Sequence, residues 1–143
     1  MKSIQEIIAA LPYKKPFLFV DEIHEINEEG CTGTYTVREN EYYFEGHFPG
    51  HPVVPGVIIT EIMAQIGLVC LGIYLDDSEE PVLPAFTNAN VDFIANVNPG
   101  DKLIIVSKKI YFRFRKLKCH ITCSLEDNTV VARGECSGML INQ

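Results

Sequence analysis

The run VIITEIMAQIGLVCLGIYL, residues 57–75, carries only four polar side chains: Thr60, Glu61, Gln65 and the tip of Tyr74. A helix that is apolar nearly all round has no face to give to water, so it is predicted to be buried. A flat sheet cannot enclose one helix, and the natural partner is a strongly curved antiparallel sheet wrapped around it. The rest of the chain supplies one. Aromatic and β-branched content over residues 17–26, a turn at 27–30 and a second run over 31–38 predict a hairpin. Strands are predicted over residues 83–94, 102–114, 117–125 and 130–141, with turns at Asn98-Pro99-Gly100 and Asp127-Asn128. Ser3 and Glu6 have the spacing of a capping box for a short first helix, which Pro12 ends. The fold class read from this order is α+β, with residues 1–143 forming a single domain.

Composition sets further bounds. A chain of 143 residues that is 47% hydrophobic can build one core. Its net charge of −7 argues against nucleic acid as the main partner. Cys31, Cys70, Cys119, Cys123 and Cys136 are odd in number, lack metal-ligand spacing and fall mostly in apolar segments. They read as reduced core thiols of a cytoplasmic protein. The first residues are too short and polar for a signal peptide or anchor, and Thr60, Glu61 and Gln65 interrupt the longest apolar run, so no membrane association is expected.

Glu61 is the anomaly inside the buried helix. An unpartnered carboxyl there costs on the order of 1–3 kcal/mol or more, so its presence calls for a compensating role. A structural hydrogen bond would be one such role. Gln65, one turn on, sits over the same face and can hold the carboxyl. Directly upstream, HFPGHPVVPG fixes φ at Pro49, Pro52 and Pro55, while Gly50 and Gly56 allow close approach or positive φ. Such a loop can bring the His47 imidazole, the free N–H groups of Gly56 and Val57 and the Glu61 carboxyl to one point. Alone, His47 would read as a loop histidine capping a carbonyl. Beside Glu61 it reads as a base facing an acid. His51 reads as a solvent-facing loop residue; no third ligand accompanies it, so no metal is expected.

These residues carry a resemblance. HFPGHPVVPGVIITEIMAQ resembles the signature of the 3-hydroxyacyl-acyl-carrier-protein dehydratases of the hot-dog fold, in the branch with glutamate at the acid position. LPYKKPFLFVDEI upstream and NPGDKL downstream match in order and approximate spacing, so the resemblance spans nearly the whole chain. It implies loss of water from a 3-hydroxyacyl thioester carried on phosphopantetheine, giving a trans-2-enoyl thioester without any other cofactor. By motif position His47 would take the C2 proton, Glu61 would protonate or orient the leaving hydroxyl, and Gln65 would orient Glu61. The Gly56 and Val57 amides would stabilise the enolate-like oxygen.

The resemblance also implies a homodimer, in which each site takes its histidine and carboxylate from different subunits, and in some members a trimer of dimers. The acyl tunnel would run along the helix, with Val57, Ile58, Ile62, Ile66, Phe86 and Phe93 as candidate walls or, equally, ordinary core. The carrier protein is acidic, and six of the twelve basic residues fall between Lys108 and Lys118. Strand alternation there puts Ile110, Phe112 and Phe114 on one face and Tyr111, Arg113 and Arg115 on the other. Arg113, Arg115, Lys116 and Lys118 are the docking candidates, against a solvated edge as the plain alternative. VDFIANVNPGD departs from the family, which usually has basic residues where Asp92, Ile94 and Ala95 stand; a different docking mode or a specialised carrier would follow. A hot-dog thioesterase and a non-catalytic acyl- or carrier-binding protein are the competing readings. The first does not need the loop histidine, and the intact His47 and Glu61 pair speaks against the second.

Overall fold

A computed structural model describes residues 1–142. The capping box forms: the Ser3 hydroxyl accepts from the Glu6 N–H at 3.2 Å and the Glu6 carboxylate accepts from the Ser3 N–H at 3.0 Å, opening α1 (Ile4–Ala10). Strands β1 (Glu22–Asn27) and β2 (Gly30–Thr36) pair as the expected hairpin. The long helix α2 (Gly56–Leu75) follows. Then come β3 (Val82–Phe93), β4 (Lys102–Arg113), β5 (Lys116–Leu125) and β6 (Val130–Asn142). All six strands form one antiparallel sheet in the order β1-β2-β4-β5-β6-β3.

The sheet and the helix share one core. On β5 the alternate side chains Leu117, Cys119, Ile121 and Cys123 are buried, and they pack with Leu103 and Ile105 of β4 against Ile62, Ile66 and Leu71 of α2. At Gly67 an added Cβ would lie 3.0 Å from both Ile121 and Ser107, so the missing side chain is what lets the helix axis approach β4 and β5. By length and composition α2 could cross a membrane, but 78% of its apolar window is buried inside the fold. The sheet therefore accounts for its apolar surface. One sheet packed over one buried helix is what the apolar run predicts and the hot-dog arrangement that the resemblance implies.

Three local expectations give way. The strand predicted over residues 17–26 begins only at Glu22, because Gln65 claims the backbone of the earlier part: its Oε1 accepts from the Phe19 N–H and its Nε2 donates to the Phe17 carbonyl. In β4 a bulge between Lys109 and Tyr111 reverses the alternation. Inward positions are odd-numbered before it, at Leu103, Ile105 and Ser107, whereas after it Phe112 packs on the core and Ile110 is exposed. Phe114 belongs to no strand face; it sits in the β4–β5 turn, 92% exposed. Finally, α2 is not uniform. Residues Gln65–Val69 form a π turn, in which the Cys70 N–H reaches back to the Gln65 carbonyl.

The two sheet edges differ in chemistry. On β1 the exposed Glu22, His24 and Glu25 give a charged rim of the kind that discourages strand addition. On β3 the exposed positions include Leu83, Phe86 and Phe93. That edge is open, with apolar side chains toward its two ends and the polar Thr87, Asn88 and Asn90 between them.

Candidate active site

The loop before α2 is closed by its own backbone. Phe48 and His51 exchange N–H···O bonds of 3.0 and 2.8 Å, the Val53 N–H donates to the His47 carbonyl at 3.0 Å, and Gly50 takes a φ of +76°. Its two ends are pinned as well. Arg38 makes two 2.8 Å bonds to the Asp21 carboxylate, and the Val54 N–H donates to the Val97 carbonyl. Within this frame His47 Nδ1 lies 2.9 Å from the Val53 carbonyl oxygen. A carbonyl can only accept, so Nδ1 carries the proton and Nε2 keeps a free lone pair. The imidazole stacks on the Phe48 ring at 4.0 Å, which fixes its plane. His51 is exposed.

Pro55 precedes the first turn of α2, and its carbonyl receives the Ile58 and Ile59 N–H groups. The N–H groups of Gly56 and Val57 find no acceptor among the described residues. They are the orphan donors of a helix N-terminus. Phe93 lies across this point: a Cβ on Gly56 would sit 3.3 Å from its ring. The Phe93 ring therefore flanks the start of the helix.

One turn in, Glu61 Oε2 accepts from Gln65 Nε2 at 2.9 Å. Burial pushes the Glu61 carboxyl above its ordinary range, and this outweighs the Gln65 bond, which pulls the other way. When the carboxyl is protonated, Oε2 is occupied as an acceptor, so the proton resides on Oε1. Gln65 is completely buried and has all its groups engaged. It ties the carboxyl to the backbone of residues 17–19. Gln65→Leu is expected to orphan the buried Phe19 N–H, at a cost of about 1–3 kcal/mol for that group alone. Denaturant unfolding of the variant would measure it.

Glu61 faces a cavity of about 350 Å³. Ala64, Leu68, Val69 and Gly72 continue its wall along α2, and Phe86, Leu117 and Leu140 close it from the sheet. Ile58, Ile62 and Ile66 do not reach it: they are at most 8% exposed, in the core under the sheet. The helical period separates the two sets, since positions 61, 64, 68 and 72 share a face that 58, 62 and 66 do not. Of the other candidate walls, Phe86 lines the cavity, whereas Val57 and Phe93 are 77% and 50% exposed beside the helix start. His47 does not line it at all.

Two cavity residues escaped the sequence reading. Tyr13 faces Glu61 across the cavity, and burial holds its hydroxyl above the usual range, with the Glu61 charge adding to the effect. Its only signal was the LPY motif, where Pro12 ends α1 and turns the chain back. Arg115 was read as part of an outward basic stripe, but it turns to the cavity and binds Asp76. Lys118 is ion-paired with Glu135 at 3.2 Å, and Arg113 lies over the Tyr111 ring at 4.6 Å.

A FabA-like domain model matches residues 11–134. The chain is 46% identical over 103 residues to the 3-hydroxyacyl-acyl-carrier-protein dehydratase FabZ of Petrotoga mobilis, covering 71% of this chain and 72% of that protein. Against the enzyme of the same name from Caldicellulosiruptor saccharolyticus the identity is 39% over 137 residues, 94% and 96% of the two chains. Among solved structures, the dehydratase heterocomplex of Xenorhabdus doucetiae superposes with a TM-score of 0.77 at 15% identity, covering 96% of this chain and 91% of that one. A Haemophilus influenzae thioesterase gives 0.71 at 14%, covering 99% and 92%. At those identities the structures speak for the fold alone. Sequence similarity along nearly the full length, from the family-model match and from relatives 39–46% identical, places this chain in the FabA-like family, among the 3-hydroxyacyl-acyl-carrier-protein dehydratases.

Proposed function

We propose that the chain, acting as one domain, removes water from a 3-hydroxyacyl thioester on a carrier protein in fatty acid biosynthesis, with His47 and Glu61 as the proton-transferring pair. His47 Nε2 takes the C2 proton. The electron pair released moves toward the thioester carbonyl, whose oxygen gains charge against the Gly56 and Val57 N–H groups. As the C2–C3 double bond forms, the C3–O bond breaks, and the proton on Glu61 Oε1 joins the departing hydroxyl to make water. The two proton transfers need no cofactor. The carrying observation is a half-buried carboxyl with a raised pKa, held by a fully satisfied Gln65 in the wall of a largely apolar cavity.

Each site is assembled from two copies of the chain. The cavity holding Glu61 lacks His47, and the open β3 edge, with Leu83, Phe86 and Phe93 exposed, offers unpaired backbone for a second β3. Arg113, Lys116 and Lys118 on the β4–β5 hairpin form the docking surface for an acidic carrier. Five free, buried thiols suit a reducing cytoplasm.

The test is hydration of a trans-2-enoyl thioester, followed as loss of enoyl absorbance, in the wild type, His47→Ala and Glu61→Gln. Full activity in both variants would sink the mechanism. Dehydration requires Glu61 protonated, and its folded pKa is raised. Turnover is therefore expected to persist above the ordinary carboxylate range and to fall as pH rises through the raised value. A kcat–pH profile reads this directly, and the residual rate of Glu61→Gln should lack that limb.

A further inference from the structure

The cavity follows α2 from Glu61 to Gly72, eleven residues or about 16 Å of helix at 1.5 Å per residue. Its far end can be located. The Asp76 N–H closes the last turn on the Gly72 carbonyl at 3.0 Å, and the Asp76 carboxylate, almost fully buried, holds Arg115. Arg115 Nε lies 3.3 Å from Asp76 Oδ1, an ion pair without hydrogen-bond alignment, while Nη2 reaches Oδ2 at 3.4 Å. Nη1 donates to Asn142 Oδ1 at 2.7 Å, and the Arg115 carbonyl accepts from the Leu140 N–H at 3.1 Å. Arg115 also lines the cavity. A charged group tied to the end of the helix, to the β4–β5 turn and to the last strand thus stands across the apolar cavity at the end opposite the acid.

The backbone adds a second observation. The two turn residues Phe114 and Arg115 both have positive φ, 53° and 61°, the pattern of a tight two-residue hairpin usually made by Asn or Gly. The Arg115 side chain meanwhile bonds Asp76 and Asn142. Position 115 therefore carries a long charged side chain where the turn itself would favour none.

We infer that Arg115, held by Asp76, is a specificity-determining residue that ends the acyl cavity and limits the chain length accepted. The inference rests on the dehydratase reading above. Acyl chains that stop short of the guanidinium gain from each methylene they bury. Longer ones must displace a paired charge or fold back, forgoing about fourfold per methylene that cannot be buried. The substrate class implied is an acyl chain of bounded length with an unadorned apolar end, because the guanidinium already has its carboxylate.

The experiment measures kcat/KM for a graded series of 3-hydroxyacyl pantetheine thioesters, butyryl to palmitoyl, so that no carrier docking enters. The variants are Arg115→Gly, which suits the positive φ and removes the wall, and Asp76→Asn, which releases the guanidinium without changing volume. Wild type should rise with length and then fall. In Arg115→Gly the fall should vanish, raising the long-to-short ratio at least tenfold, with Asp76→Asn in between. A wild-type length profile in a folded Arg115→Gly protein overturns the wall and leaves the dehydratase reading standing. Should Arg115→Gly not fold, an unaltered profile in Asp76→Asn overturns it equally. Wild type inactive at every length, on pantetheine and on carrier-linked thioesters alike, overturns the dehydratase reading and this inference with it.

Discussion

Replacing Glu61 by glutamine is expected to lower dehydration by about 10²–10⁴-fold, the usual contribution of a positioned acid, while making the fold more stable at neutral pH. The amide keeps the shape of the carboxyl, and its oxygen can still accept from Gln65 Nε2, so the cavity wall and the tie to residues 17–19 persist. What is lost is the transferable proton. The stability gain follows from linkage. Burial raises the folded pKa of Glu61 above its ordinary 4.5, so the folded state holds the proton more tightly than the unfolded chain does. Below the ordinary value both states are protonated and the carboxyl imposes no penalty. As pH climbs from there to the raised folded value the penalty grows, and above it the penalty is complete. Melting temperatures of wild type and Glu61→Gln should thus agree at acid pH and separate as pH rises, with the variant higher. Equal melting at every pH would show that the carboxyl is not desolvated in the way the site requires. A residue that costs stability and supplies turnover is the trade-off expected of a functional site.

The sequence exposed this site because its two chief residues break local rules. Glu61 interrupts a helix that is otherwise apolar, and HFPGHPVVPG spends three prolines on a stretch that needs no turn of that rigidity. Helix periodicity alone also gave the Gln65 contact, since residues four apart share a face. The failures have a common physical origin: each depends on a partner distant in sequence. Residues 17–21 have strand composition, but the Phe19 N–H and the Phe17 carbonyl go to the Gln65 side chain, 46 and 48 positions away. Nothing local marks that diversion. The bulge at Ile110 is set by the register against β5, and it brings Phe112 inward while Ile110, expected on the same face as Phe112, stays outward with Val106 and Lys108. Arg115 looked like one more cation in a basic run until the fold brought Asp76 to it. The cavity wall shows the same thing. The helix has apolar side chains on nearly every face, so only the packed sheet decides that Leu68 and Gly72 line a space while Ile62 and Ile66 fill one.

Mixing two inactive variants is expected to restore activity. His47→Ala and Glu61→Gln should each fall by about 10²–10⁴-fold as pure dimers, because every site in either protein lacks one member of the pair. Co-expression of the two chains changes the count. If the subunits assort freely, half of the dimers are mixed, and in each of those one site joins the intact His47 of one chain to the intact Glu61 of the other, while the second site lacks both. About a quarter of wild-type activity should therefore return. The physical ground is the separation seen within one chain: the Glu61 cavity has no His47 in its wall, whereas Val57, Phe86 and Phe93 stand exposed along the helix start and the open β3 edge, where a second copy can cover them. A site complete within one subunit predicts the opposite result. Each chain of a mixed dimer would then carry its own defect, and the co-expressed proteins would be as inactive as their parents. Tagging the two chains differently, isolating the doubly tagged dimers and measuring enoyl hydration decides between the two arrangements. In that purified fraction the expected recovery doubles to about half.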